Sequence, residues 1–102
     1  MMDFEESGNT LRCSFSGDLG ADVCALLETE LKDRIAGFLQ GREEYEIVFD
    51  LTGTRYMASA FLRLCLFHCK LAGNKNFRIE NPSDDLKKVF TIAGFTEMMN
   101  IR

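Results

Sequence analysis

The 102-residue chain has no tryptophan, only one proline and one histidine, and no long run of apolar residues. The single proline and the eight glycines exclude a collagen-like or low-complexity chain. No apolar run approaches the roughly 20 residues needed to cross a bilayer, so we expect no membrane insertion. With a single histidine, the sequence offers no identifiable pair of a nucleophile and a catalytic base with a carboxylate to orient it, so we expect no enzyme activity.

Apolar side chains are abundant instead, because hydrophobic residues make up 46% of the chain and nine of them are phenylalanine. This composition excludes disorder, which needs low hydrophobicity and high net charge. The length is that of one domain with one core. We therefore expect residues 1–102 to form a single domain, present as a monomer or a weak dimer.

Acidic residues outnumber basic ones, 16 to 12, which gives a formal net charge of −4. Nucleic-acid binding needs a basic surface, so neither DNA nor RNA is expected as a partner. The charge is unevenly divided, because residues 1–50 carry 12 acidic and 4 basic side chains whereas residues 51–102 carry 4 and 8. This division indicates either an ordinary soluble surface or a mixed-sign edge that steers a partner.

Three of the first six residues are acidic, and this segment lacks the basic and apolar stretches of a secretory signal. We therefore expect a cytoplasmic protein. In that reducing compartment the four cysteines are expected to be thiols rather than disulfides; they are Cys13, Cys24, Cys65 and Cys69.

The apolar pattern predicts an α/β fold in which helices pack on a mixed sheet of four to five strands. The continuous apolar run Ile47–Phe49 indicates a central strand with parallel neighbours, and Ser7–Thr10 is predicted to join an antiparallel hairpin. Gly17–Gly20 is predicted as a turn and Thr52–Arg55 as a loop. The predicted strands are Asp3–Glu6, Leu11–Ser16, Tyr45–Leu51 and Asn76–Glu80.

Apolar residues at three- and four-residue spacing predict three helices. The first two are Asp22–Leu39 and Ser59–Ala72, and the third follows a cap at Ser83 and ends at Gly94. The first helix is predicted to bury Val23, Leu26, Leu27, Leu31, Ile35 and Phe38. The third is predicted to bury Leu86, Val89, Phe90 and Ala93. Glu30 and Arg34, four residues apart, predict an ion pair on the first helix.

Two groups of polar or sulfur-containing residues could carry chemistry. Cys65, His68 and Cys69 have a spacing that allows three ligands to face one metal ion. They also coincide with the apolar face of the second helix, so we expect core packing, with no metal and no cofactor. Asp18 and Asp50 follow strands, and each is either a surface-interaction residue at the carboxyl edge of the sheet or a cap for loop N–H groups.

Residues 45–64, YEIVFDLTGTRYMASAFLRL, resemble the central block of STAS domains, the family of anti-sigma factor antagonists and related sulfate-transporter modules. Ile79–Ser83 and Val89–Phe95 are similar to the family's last strand, its Asn-Pro step and its final helix. The resemblance extends over residues 10–101 and implies a single STAS-like domain.

The resemblance further implies a bacterial regulator of transcription that binds an anti-sigma factor or a serine protein kinase. Ser59 matches the position whose phosphorylation turns binding off in the family, and a serine at a helix start also serves as an N-cap. Arg55 and Arg63 flank Ser59 and are expected to meet Asp18 on one edge of the sheet. The residues expected to contact the partner are Asp18, Tyr56, Met57, Ala58, Ala60, Phe61 and Arg63.

The sequence departs from the family motif at Phe61, where a glycine is usual, and at Ala58, where Asp or Ser is usual. Phe61 has three interpretations: an aromatic anchor for a different partner, the sign of a lost phosphorylation switch, or an inward-facing core residue. If the switch is lost, the alternative function is a subunit that docks constitutively on another assembly, such as a stressosome or a lipid-transport ATPase.

Overall fold

A computed structural model describes all 102 residues of the chain. The strands are β1 (Met2–Ser7), β2 (Thr10–Phe15), β3 (Gly17–Leu19), β4 (Glu46–Asp50), β5 (Thr54–Met57) and β6 (Phe77–Glu80). The helices are α1 (Ala21–Leu39), α2 (Ser59–Ala72) and α3 (Asp84–Ile92), with a 3-10 turn at Asn74–Asn76. None of these helices combines the length and the apolar content that a membrane crossing requires.

The four-stranded sheet has the order β1-β2-β4-β6 and is mixed, as predicted. β1 and β2 form the antiparallel hairpin, whereas β2, β4 and β6 run parallel to one another. β4 therefore lies between two parallel neighbours, which confirms the interpretation of the Ile47–Phe49 run. All three residues of that run are fully buried; Ile47 and Phe49 belong to the hydrophobic core, whereas Val48 points to the other face of the sheet.

One face of the sheet and all three helices share a single hydrophobic core. Phe15 lies at its centre, with ring centroids 5.1 Å from Phe49 and 5.0 Å from Phe61 in edge-to-face geometry. Phe77 packs on Phe49 in the same way at 5.0 Å. Edge-to-face pairs add roughly 0.5–1.5 kcal/mol each to the burial of the rings themselves, so this cluster stabilises the junction between the sheet and α2.

The opposite face of the sheet is held by ion pairs instead of a second layer. Nη1 of Arg12 on β2 lies 2.9 Å from Asp50 Oδ2 on β4 and 2.9 Å from Glu80 Oε1 on β6. Arg78 on β6 pairs with Glu46 and Glu80. The hydrogen bond that Arg78 donates is the main cause of the lowered pKa of Glu80. The three parallel strands are thus bridged on this face by charged hydrogen bonds.

Two predicted connections are strands in the structure. Gly17–Leu19 and Thr54–Met57 pair in parallel as β3 and β5, a separate two-stranded sheet. Thr54 is buried, and its Oγ1 donates a 2.9 Å hydrogen bond to the carbonyl oxygen of Phe15, which ties the small sheet to β2. The predictions of a turn and a loop were wrong because these segments are short and rich in glycine and polar residues, and only their mutual pairing makes them strands.

The predicted helical faces also need correction. On α1, Leu26 is 81% exposed and Cys24 is buried although it was not predicted to be. The rest of the predicted face is confirmed, because Leu31, Ile35 and Phe38 are buried and Val23 and Leu27 pack against the core. On α3, Val89 and Ala93 are exposed, and only Leu86 and Phe90 are buried.

The predicted ion pair between Glu30 and Arg34 is absent, since the guanidinium of Arg34 lies 5.1 Å from the centre of the Phe4 ring. The ion pair on α1 joins Glu28 and Lys32 at 3.5 Å instead. This cation–π contact connects α1 to β1. A contact between two elements cannot be predicted from residue spacing within one helix.

Candidate functional site

The small sheet places the starts of α1 and α2 side by side. β3 leads into α1 through Gly20, and β5 leads into α2 through Ala58. The register pairs Leu19 with Met57, and the Ala58 N–H donates a 2.8 Å hydrogen bond to the Leu19 carbonyl oxygen. Both helices therefore begin at the same edge of the molecule. We call this region the β3/β5 edge.

Ser59 lies at the centre of the β3/β5 edge as the first residue of α2. It is exposed, and its hydroxyl group makes no hydrogen bond within the chain. The N-cap is Ala58, with extended backbone (φ −81°, ψ 166°) and no side-chain cap. The expectation that Ser59 itself caps the helix was therefore wrong, and its hydroxyl is free for chemistry with another molecule.

Asp18 and Arg55 come together on the β3/β5 edge, as the resemblance to STAS domains implied. Arg55 Nε lies 3.3 Å from Asp18 Oδ1, and both side chains are largely exposed. An exposed pair of this kind stabilises a fold by less than about 1 kcal/mol. Its contribution is therefore the mixed-sign charge that it presents at the surface, and the pair is free to exchange partners with an incoming protein.

Two residues of the predicted contact set are not on the surface. Met57 is 7% exposed and Phe61 is fully buried, with its ring against Phe15 and Phe49. Phe61 is therefore an inward-facing core residue, and the interpretation of its side chain as an aromatic anchor for a partner is wrong. The first turn of α2 directs this position into the core, because Phe61, Leu64 and Cys65 share one face of the helix.

The remaining predicted contacts are accessible. Tyr56 is 55% exposed, and it is the aromatic side chain that the β3/β5 edge offers in place of Phe61. Ala58 and Ala60, the small side chains on either side of Ser59, are partly exposed. Arg63 is exposed one turn further along α2 and makes no ion pair.

Asp50 ends β4 outside this group and belongs to the loop that follows. Oδ1 of Asp50 accepts hydrogen bonds from the Thr52 N–H at 3.0 Å and from Asn81 Nδ2 at 3.2 Å. Burial opposes ionisation, but these hydrogen bonds and the charge of Arg12 outweigh it and lower the pKa of Asp50. The capping interpretation therefore holds for Asp50, whereas Asp18 is the carboxylate that lies on the exposed edge.

The cysteine and histidine residues of α2 are core residues. Cys65, His68 and Cys69 are fully buried, all four cysteines of the chain are free thiols, and no group of candidate ligands surrounds a metal position. Burial raises the pKa of Cys13 to about 12 and that of Cys65 well above its usual value. Neutral thiols in the core are consistent with packing and not with nucleophilic chemistry.

His68 lacks a hydrogen-bond partner at both ring nitrogens. Its ring packs against Phe67 and Phe49, with centroids 4.9 Å and 5.9 Å away. Burial, aided by the nearby charge of Lys32 and opposed by Glu28, lowers the pKa of His68 to about 4. The imidazole is therefore neutral at physiological pH and acts as a packing group.

No protein-family model matches the chain, and no curated protein matches it in sequence. Solved structures do match. The anti-sigma factor antagonist SpoIIAA in its unphosphorylated form superposes with a TM-score of 0.67 at 18% identity, covering 90% of this chain and 83% of that one. The Bacillus cell fate determinant SpoIIAA in its phosphorylated form gives a TM-score of 0.68 at 19% identity, covering 100% and 91%.

A third match is a protein of the DUF3478 family from Shewanella loihica PV-4 with a SpoIIAA-like fold. Its TM-score is 0.56 at 16% identity, and the alignment covers 93% of this chain and 76% of that one. The three matches show that the chain has the SpoIIAA fold. The STAS-like architecture that residues 45–64 predicted is thereby confirmed.

Proposed function

We propose that this chain is a non-enzymatic, cytoplasmic regulatory protein that binds an anti-sigma factor or a serine protein kinase through the β3/β5 edge. Phosphorylation of Ser59 turns this binding off. The observation that carries the proposal is the exposed hydroxyl of Ser59, which makes no hydrogen bond within the chain and lies where the two helices begin. The likeness to SpoIIAA, named as an anti-sigma factor antagonist and solved in both phosphorylation states, supports it.

The surface around Ser59 has the features of a small docking face. Tyr56 supplies an exposed aromatic side chain, and aromatic residues contribute strongly to protein interfaces. Asp18 and Arg55 supply one charge of each sign. The partly exposed alanines beside Ser59 have small side chains, which favours the close approach of another backbone.

Phosphorylation would change this face without unfolding it. A phosphate on Ser59 adds a charge of about −2 and its bulk to a position that carries only a hydroxyl in the unmodified protein. The first turn of α2 has no acidic residue and no side-chain cap, so its N–H groups favour an added anion. The modified protein keeps its fold, and an acidic partner surface is repelled.

The proposal is tested with a candidate anti-sigma kinase from the same cell. With ATP, we expect phosphate to be incorporated at Ser59 of the wild type and not into Ser59→Ala. Ser59→Asp should weaken binding by at least about tenfold, which corresponds to about 1.4 kcal/mol.

The matched control is Ser7→Asp, which adds the same charge at an exposed position where β1 ends, away from the β3/β5 edge. If Ser59→Asp binds as well as the wild type while Tyr56→Ala does not, the switch is absent and docking through this edge is constitutive. If neither variant changes the affinity, the β3/β5 edge is not the binding site.

A further inference from the structure

A groove runs between α1 and α2, beginning next to the β3/β5 edge. Its volume is about 390 Å³, which lies within the ~300–1,000 Å³ range of small-molecule sites. Three alanines line it, Ala21 and Ala25 on α1 and Ala60 on α2. Their small side chains leave a gap where larger residues would close the contact between the two helices.

The floor and one wall of the groove are apolar. Cys24 and Leu64 are buried at its base, and Phe67 is 46% exposed along its side. Exposed aromatic surface in a partly enclosed site favours an occupant with an apolar body. None of residues 1–102 closes this groove, which is open at the surface of the structure.

The charges that line the groove leave one cation unpaired. Lys32 is paired with Glu28 at 3.5 Å, and its Nζ lies 4.9 Å from the centre of the Phe67 ring. Arg63 also lines the groove, and it has no ion pair. Its guanidinium therefore lacks an anion.

We propose that this groove binds a small amphiphilic acid, whose apolar body lies over Leu64 and Phe67 and whose anionic head pairs with Arg63. An arginine and an oxyanion form charge-assisted hydrogen bonds that fix the orientation of such a ligand. An extended peptide is a poorer fit, because both walls are helices whose backbone groups bond within the helix and offer no strand edge. The proposal is independent of Ser59 and of its phosphorylation.

The probe for the experiment is 8-anilinonaphthalene-1-sulfonate, which combines an aromatic body with an anion and fluoresces when bound. We expect the probe to bind saturably, with one equivalent per chain. Octanoate should displace the probe at a concentration about tenfold lower than octanol does, since only octanoate can pair with Arg63. Arg63→Gln should remove the difference between the acid and the alcohol. Ala25→Leu should weaken binding of the probe by filling the groove.

Two control variants separate the groove from the general surface. Arg55→Gln removes an exposed arginine at the β3/β5 edge, and Ala36→Leu adds the same side chain to an exposed site on α1 outside the groove. Both should bind like the wild type, with circular dichroism confirming that every variant is folded. The proposal is overturned if octanoate and octanol displace the probe equally, or if the control variants weaken binding as much as their counterparts.

Discussion

At the scale of single residues, burial decides which of the predicted site residues can act. Ser59 and Phe61 are two positions apart on α2, yet one is exposed and the other is fully buried. The family-like motif indicated that both lie at the start of a helix, and this was correct. It left three interpretations of Phe61 open, and burial in the structure selects the inward-facing one.

Phe61→Ala should lower the free energy of unfolding by about 3–5 kcal/mol, because it removes a ring that packs on Phe15 and Phe49 and leaves a cavity. Urea denaturation measures the change. Phe67→Ala is the matched control on the same helix and should cost clearly less, since Phe67 is 46% exposed. Equal costs would contradict the inward placement of Phe61.

His68 should make the stability of the protein depend on pH between about 6.5 and 4. Its pKa is about 4 in the folded state and near 6.5 when unfolded, so the unfolded chain takes up the proton first as the pH falls. Stability is complete above pH 6.5 and declines by up to about 1.4 kcal/mol per pH unit until pH 4. Urea denaturation at pH 7 and pH 5 measures this decline.

The comparison variant is His68→Leu, which cannot titrate and leaves no buried nitrogen unpaired. The wild type should lose about 2 kcal/mol more than this variant between pH 7 and pH 5. Carboxylates with lowered pKa values, such as Asp50 and Glu80, are present in both proteins and do not affect the difference. The same decline in both proteins would show that His68 is not the titrating group.

At the scale of elements, helix starts differ in how they are capped. Ser83 caps α3, because its Oγ accepts a hydrogen bond from the Leu86 N–H at 3.2 Å. α2 starts without any side-chain cap and is positioned by β5 and the hydrogen bond from Ala58 to Leu19. The sequence predicted both serines as caps, since a serine before a helical pattern is the same signal in each case.

Ser83→Ala should therefore reduce stability by about 1 kcal/mol, as the loss of an N-cap does. Ser59→Ala should change it by less than about 0.5 kcal/mol, because the Ser59 hydroxyl makes no hydrogen bond in the chain. Thermal denaturation of the two variants side by side distinguishes them. A loss of similar size in Ser59→Ala would mean that this hydroxyl does cap α2.

At the scale of the whole molecule, the two faces of the main sheet are stabilised by different interactions. One face joins the three helices in a core of aromatic and aliphatic side chains. The other depends on Arg12 and Arg78, which bridge β2, β4 and β6 through Asp50, Glu80 and Glu46. These pairs are partly buried and hydrogen-bonded, so they contribute more than exposed ion pairs do.

Arg12→Gln should lower the stability at pH 7 by about 1–3 kcal/mol, since it removes charged hydrogen bonds to Asp50 and Glu80. Both carboxyl groups have lower pKa values in the folded protein than in the unfolded chain. The stabilisation is therefore present at a pH above the unfolded-state pKa values, and it is lost as the pH falls through the folded-state pKa values. The difference between wild type and variant should therefore shrink as the pH falls below the ordinary range of these carboxyl groups. Arg55→Gln, which removes an exposed pair, should cost less than about 1 kcal/mol at any pH.

The sequence alone determined the order of the main strands and helices, the mixed sheet and the central position of β4, because these follow from apolar periodicity along the chain. The resemblance to STAS domains also implied that Asp18, Arg55 and Ser59 belong to one edge. Only the tertiary structure decided that β3 and β5 are strands, that Phe61 is buried, and that Arg12 and Arg78 bridge the open face of the sheet. These features depend on pairing between distant segments, which local pattern and propensity do not specify. The chain has no tryptophan, and its core is built largely from phenylalanines instead. Phe61 is one of them, and it lies beneath the surface on which Ser59 is exposed.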